Sequence, residues 1–195
     1  MLKIRFYKCG QWEATPTPAR RDARADAELH AACRKGNLAE VKRILDTGQA
    51  DINCRDVGGR TPVMWAASMG HRDVVEFLGG DRETVKFVLS LDWVDINSRG
   101  ERSRTPVMWA ALKGQRDVVE LLVSRGADVS LVDDGGNNIL HVACLGGDGE
   151  TVKFVLSLDG VDINARNNYR KTATDVARDE EHHQLSDLLV SRGTQ

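Results

Sequence analysis

Residues 61–67 read Thr-Pro-Val-Met-Trp-Ala-Ala, and residues 105–111 read the same seven. Residues 83–92, Glu-Thr-Val-Lys-Phe-Val-Leu-Ser-Leu-Asp, recur at 150–159. Asp-Ile-Asn closes a segment at 51–53, 95–97 and 162–164, with Asp128-Val129-Ser130 as a variant. Thr105 and its counterpart Asn138 are 33 positions apart, Asn138 and Thr172 are 34 apart, and Leu29 and Val63 are also 34 apart. A fixed period of this length marks a stack of small units, none of which can bury its apolar face alone.

Each unit has a legible local code. Thr61 and Thr105 are N-cap residues, and each is followed by proline, whose fixed φ and missing N–H suit the first helical position. The helix that follows is short and alanine-rich, which lets a neighbouring unit approach closely. Gly70 and Gly114 end it. A second helix places Val118, Val119, Leu121 and Leu122 at helical spacing, and Gly126 ends that one. A polar, glycine-containing stretch leads to the next cap.

These residues resemble the ankyrin repeat. One copy has Asp56, Gly59, Thr61-Pro62, Ala66-Ala67, Gly70-His71, Val74-Val75 and Leu78. A second has Thr105-Pro106, Ala110-Ala111, Gly114, Val118-Val119, Leu121-Leu122 and Gly126-Ala127-Asp128-Val129. A third has Gly136, Leu140-His141, Ala143, Gly147, Val152 and Asp162-Ile163-Asn164. The match runs from about residue 27 to 193. The resemblance implies an all-α solenoid of stacked helix-turn-helix units with β-hairpin fingers. The expected division is a disordered basic tail over 1–25 and a repeat domain over 26–195. Its units fall near 27–53, 54–97, 98–130, 131–164 and 165–193. The first is charged and lacks Thr-Pro, as an N-terminal cap would. The last has Glu181 where glycine is expected.

The unit over 54–97 breaks the pattern. Thr61 to Thr105 is 44 positions. Leu78 aligns with Leu122 and Gly79 with Gly146, so the 23 residues from Val123 to Leu145 have no counterpart after Leu78. One first helix is then followed by two second-helix segments, near 72–78 and 82–91. A missing or deleted segment explains this; a tolerated surface insertion is the alternative. The first explanation expects 82–91 to take the regular place and 72–80 to be displaced.

Composition narrows the function. Lys and Arg number 27 against 29 Asp and Glu, for a net charge of −2, so a strongly basic nucleic-acid binder is not expected. No apolar run approaches the ~20 residues of a membrane span. The first ten residues are interrupted by Lys3, Arg5 and Lys8, so no secretory signal is expected. The cysteines at 9, 33, 54 and 144 form no C-x-x-C pair, and free thiols suit a reducing compartment. The expected location is intracellular, cytoplasmic or nuclear, and the expected state a monomer.

No catalytic constellation is evident. His30-x-x-Cys33 and His141-x-x-Cys144 look like metal half-sites, but they hold the same repeat position about three units apart and cannot share an ion. Glu180-Glu181-His182-His183 reads as a solvated cap, because adjacent histidines on a helix point about 100° apart. Gly146-Gly147-Asp148-Gly149 lacks the lysine and hydroxyl of a phosphate loop. No enzyme activity, metal or cofactor is expected.

The expected function is a non-enzymatic protein–protein interaction module, a scaffold or adaptor holding a protein segment on its concave face and fingers. The resemblance puts the binding positions on the finger tips and the exposed ends of first helices. On the fingers these are Arg60, Glu101, Arg102, Arg104, Asp134, Asn137, Asn168, Tyr169 and Lys171, and on helices Ser68, Met69, Leu112 and Lys113. Trp65 and Trp109 are either half-buried packing or partner anchors. An acidic partner segment would suit the Arg99, Arg102, Arg104 cluster. The resemblance also implies asparaginyl hydroxylation at Asn53, Asn97 or Asn164, each eight residues after a leucine. The alternative function class is a truncated or orphan product, short of the 23-residue segment and with little binding function.

Overall fold

A computed structural model describes residues 22–79 and 94–193. Among them are ten α-helices and no strand. They are α1 (Ala23–Lys35), α2 (Leu38–Asp46), α3 (Pro62–Met69), α4 (Arg72–Leu78), α5 (Pro106–Leu112), α6 (Arg116–Ser124), α7 (Ile139–Gly146), α8 (Gly149–Leu156), α9 (Ala173–Asp179) and α10 (His183–Ser191). The first helix opens at Ala23, inside the stretch assigned to a tail; the rest of that stretch, 1–21, lies outside the described residues.

Odd- and even-numbered helices form two rows. The first row packs in chain order, α1 on α3, α3 on α5, α5 on α7 and α7 on α9. The second runs α2, α4, α6, α8, and each of its helices packs on its own partner in the first row, as α10 packs on α9. Alanine sets the spacing. Ala66, Ala67, Ala110, Ala111, Ala143, Ala173 and Ala177 are fully buried between first-row helices, while Val74, Val118, Val119, Val152, Val155 and Leu189 fill the space between the rows. Where α3 and α5 end, Gly70 and Gly114 take the left-handed backbone, with φ of 77° and 68°. A Cβ at Gly70 would enter the Gln115 side chain, and one at Gly114 would meet Asp148. At Gly114 the close approach adds to the φ in requiring glycine; at Gly70 the amide end of Gln115 can move aside, and the φ decides.

Two expectations need correction. The fingers are not strands. Each is a short turn loop whose outer bond is Asp56 N–H to Arg60 O, Gly100 N–H to Arg104 O, Asp133 N–H to Asn137 O or Asn167 N–H to Lys171 O, all 3.0 Å. A second bond lies inside it, such as Gly59 N–H to Asp56 O at 2.9 Å; Asp134 N–H to Arg102 O and Asn168 N–H to Gly135 O join neighbouring loops. Five-residue loops leave no length for a ladder. Thr105 has the extended backbone of a cap, but its hydroxyl is buried with no hydrogen-bond partner. The proline after it, not the side chain, starts α5. By contrast Asn138 accepts from Leu140 N–H and His141 N–H, and Thr172 from Asp175 N–H.

The unit after α3 is not built around a displaced helix. α4 sits between α2 and α6, with Val74, Val75 and Leu78 buried. The Arg125 guanidinium donates to Gly79 O at 2.8 Å and lies 3.5 Å from Glu76, so it clamps the C-terminal end of α4, where a cation opposes the negative end of the helix dipole. The chain regains the repeat at Val94, which packs on the core, and Asp95 N–H donates to Asn53 Oδ1 at 3.0 Å. Asp128 N–H donates to Asn97 Oδ1 in the same way at 2.8 Å. Residues 47–49, 124–126 and 158–160 link the corresponding points in three other units, and here the link is 80–93. The unit from α3 to Gly79 is thus complete as far as it is described, and the link that follows is longer than in the other units. The expected second segment at 82–91 lies outside the described residues.

Two predictions follow from this packing. Ala110→Leu places three extra carbons in a fully closed first-row interface and should cost about 1–3 kcal/mol, read as a lowered urea midpoint. Deleting residues 82–92, which restores a three-residue link, should leave the fold intact and raise stability by ~1 kcal/mol through loop closure. A large loss of stability on that deletion would show that the segment contributes to the core.

Candidate partner-binding face

One side of the first-row helices carries alternating arginine and tryptophan. Trp65 on α3 and Trp109 on α5 hold equivalent positions, and Arg60 and Arg104 each precede the cap threonine of those helices. The Arg60 guanidinium stands 4.7 Å from the Trp65 ring centre and 4.3 Å from that of Trp109. Arg34, near the end of α1, lies 5.6 Å over Trp65, and Arg104 lies 5.6 Å over Trp109. The row Arg34, Trp65, Arg60, Trp109, Arg104 therefore crosses three units. Each cation–aromatic contact contributes on the order of 0.5–2 kcal/mol, according to its exposure.

Carboxylates from the turn loops fix the row. Trp65 Nε1–H donates to Asp56 Oδ2 at 2.8 Å. Glu101 is ion-paired with Arg60. Arg104 Nε donates to Asp133 Oδ2 at 3.1 Å, with both side chains buried. Asp133 Oδ1 also accepts from Gly135 N–H and Asn137 N–H, so this one carboxylate holds both the arginine and its own loop. At Asp56, burial pushes the carboxyl upward, but donors from Arg60 N–H, the Trp65 indole and Gly58 N–H outweigh it and leave the group below its ordinary value. Trp109 has no such acceptor. Gly100 stands where Asp56 stands one unit earlier, and the Trp109 indole N–H is buried without a partner.

The row opens at its N-terminal end. Ala27, His30, Ala31, Arg34, Asp56 and Trp65 line a shallow cleft of about 220 Å³. Both ring nitrogens of His30 are engaged, Nδ1 with Asp26 O at 2.9 Å and Nε2 with Arg60 O at 3.0 Å. His141 is held similarly, by Asn138 Oδ1 and Lys171 O, and burial lowers its pKa. Cys33 and Cys144 are wholly buried, and burial pushes both thiols up to about 12. Among the described residues no three His, Cys, Asp or Glu side chains are grouped to hold a metal ion. No described helix is long and apolar enough to cross a membrane.

The remaining sequence candidates divide. Met69 (44% exposed), Tyr169 (74%), Arg102, Lys113, Asp134, Asn168 and Lys171 are exposed, and Leu112 is half-buried. Lys171 is paired with Asp179, and Asp134 with Ser103. Asn137 donates to both oxygens of Asp133, so its amide is committed to the loop. Ser68 and Arg104 are not on the surface. Ser68 is 6% exposed and its hydroxyl donates back to Trp65 O; Arg104 is 4% exposed. The arginine cluster is likewise dispersed, because Arg99 donates to Val132 O while Arg104 turns inward to Asp133. Asn53 and Asn97 hold the following unit through their Oδ1 atoms, and Asn164 is exposed with partners of its own. Arg34, Asp56 and Asp133 were missed. Arg34 shares the repeat position of Ser68 and Leu112, both selected as candidates, so aligning the first unit as a full repeat would have found it.

Models of ankyrin repeats match residues 29–78 (many copies) and 78–167 (3 copies). The chain belongs to the ankyrin-repeat family. Among its relatives are human ankyrin repeat domain-containing protein 29, 49% identical over 47 residues, and bovine osteoclast-stimulating factor 1, 42% identical over 53. Human ankyrin repeat domain-containing protein 63 is 41% identical over 58. These stretches cover 24%, 27% and 30% of this chain and 16%, 24% and 15% of the relatives. What is shared is thus the repeat, and ankyrin repeats are in general protein–protein interaction modules.

The buried pair gives a prediction for this repeat array. Arg104→Ala leaves the Asp133 charge buried beside its loop and should cost about 3–5 kcal/mol. Arg104→Met combined with Asp133→Asn should cost much less than the sum of the single changes, measured as a double-mutant cycle in chemical denaturation.

Proposed function

We propose that the chain is a non-enzymatic interaction module that holds a protein segment along the first-row helices and the adjoining turn loops. The observation that carries this reading is Trp65, a half-buried aromatic standing in an open cleft between two arginines. Tryptophan and arginine are the residues that most often dominate binding energy at protein interfaces. A cleft of about 220 Å³ is smaller than the usual site for a cofactor but large enough for a protruding side chain. Arg60, Glu101, Met69, Leu112, Lys113, Arg102, Asp134, Asn168, Tyr169 and Lys171 extend the face, with Trp109, Arg104, Ser68 and Asn137 supporting it from below. The continuous packing of α3 on α5 and α4 on α6 across the long link favours a working module over a defective product. In this reading the stack is a solenoid acting as a single copy inside the cell, where the buried thiols Cys33, Cys54 and Cys144 stay reduced.

Capture from a cell lysate on the full-length protein tests the reading, with Met69→Glu and Trp65→Ala as comparison baits. Met69→Glu is exposed and should melt like the parent. We expect specific partners to fall by about fivefold or more on either variant. The same proteins retained at equal yield by both variants would place binding elsewhere.

A further inference from the structure

Along the arginine–tryptophan row every guanidinium except the first has a carboxylate. Arg60 has Glu101 and Arg104 has Asp133, whereas no carboxylate among the described residues pairs with Arg34. Its guanidinium carbon stands 5.6 Å from the Trp65 ring centre, within cation–aromatic range, and a contact with the ring face uses none of its five N–H donors. The acceptors around it are turned to other donors. Asp56 Oδ1 takes Gly58 N–H and Arg60 N–H, and Oδ2 takes the Trp65 indole. Both His30 nitrogens face backbone carbonyls. The cleft thus pairs a carboxylate held by three N–H groups, Asp56, with a guanidinium that has no carboxylate of its own, Arg34.

We infer that this cleft takes an acidic side chain, Asp or Glu, of a partner peptide. Its carboxylate pairs bidentately with Arg34, and a neighbouring aliphatic residue lies on Ala27, Ala31 and the exposed part of Trp65. This rests on the protein-binding reading above and names the partner's chemistry. Bidentate pairing with arginine is the strong form of such a contact. The apolar floor of alanine and indole supplies the burial that an isolated surface ion pair lacks. The chain's own N-terminal residues have the wrong sign to be the occupant: positions 1–21 carry Lys3, Arg5, Lys8, Arg20 and Arg21 against Glu13 alone.

The test uses the full-length protein and a displayed library of random twelve-residue peptides, with selected sequences resynthesised and titrated by fluorescence polarisation. We expect selected peptides to carry Asp or Glu beside Leu, Ile or Val. Arg34→Glu should weaken them by roughly tenfold or more, Arg34→Lys should recover part of the loss, and the peptide with Lys in place of its acid should regain binding to Arg34→Glu. Arg34 is exposed, so the variants should melt with the parent. If the peptides bind Arg34→Glu unchanged and are lost on Trp65→Ala, the acidic partner is wrong while the face stands. A library that yields no binder removes both.

Discussion

The approach distance between first-row helices governs everything else in this chain. Alanine at 66, 67, 110, 111 and 143 and glycine at 146, where a Cβ would run into the Leu112 carbonyl, let those helices come together. A unit of two short helices cannot cover its own valines and leucines, so the neighbour is part of its core. The helices themselves are only seven to thirteen residues long, below the length at which isolated helices hold in water. Contact between units, not helix propensity, makes them stable.

Close approach has a polar counterpart at the loops. Backbone groups at the turn of one unit are met by side chains from the unit before: Asn53 on Asp95, Asn97 on Asp128, His30 on Arg60 and His141 on Lys171. Each bond crosses one interface. The arginine–tryptophan row adds a third set of crossings on the same side as the turn loops, and there the packing merges into the candidate binding face. Residues such as Arg60 therefore serve both packing and surface, and substitution there alters both.

Repetition made the fold legible. Two identical heptapeptides, paired alanines and a period of 33 to 34 specify helices, ends and stacking without long-range information. Three features were not legible. The place of α4 was misjudged because aligning Gly79 with Gly146 favoured the duplicated sequence over the geometry of Val74, Val75 and Leu78, which fill the regular groove. The inward turn of Arg104 depends on Asp133 in the next loop, 29 positions away, and no local pattern encodes such a pairing. The fingers read as hairpins by resemblance, yet among the described residues they are five-residue turn loops with no strand. At the candidate site, Trp65 and Arg60 were visible as repeat variations, while Arg34 was hidden by treating the first unit as a mere cap.

The long link after Gly79 bears on how such a chain can grow. The link leaves from the end of a second helix and returns to a backbone position fixed by Val94 and Asn53, so chain length and stack geometry are uncoupled at that point. Material added there lengthens the polypeptide without shifting the register of α5 against α3. The matching exits at Gly48, Gly126 and Gly160 have the same construction, and a Cβ at any of them meets nothing. The fold thus offers a series of grafting ports, one per unit, where a foreign segment can be spliced in while the arginine–tryptophan row keeps its spacing.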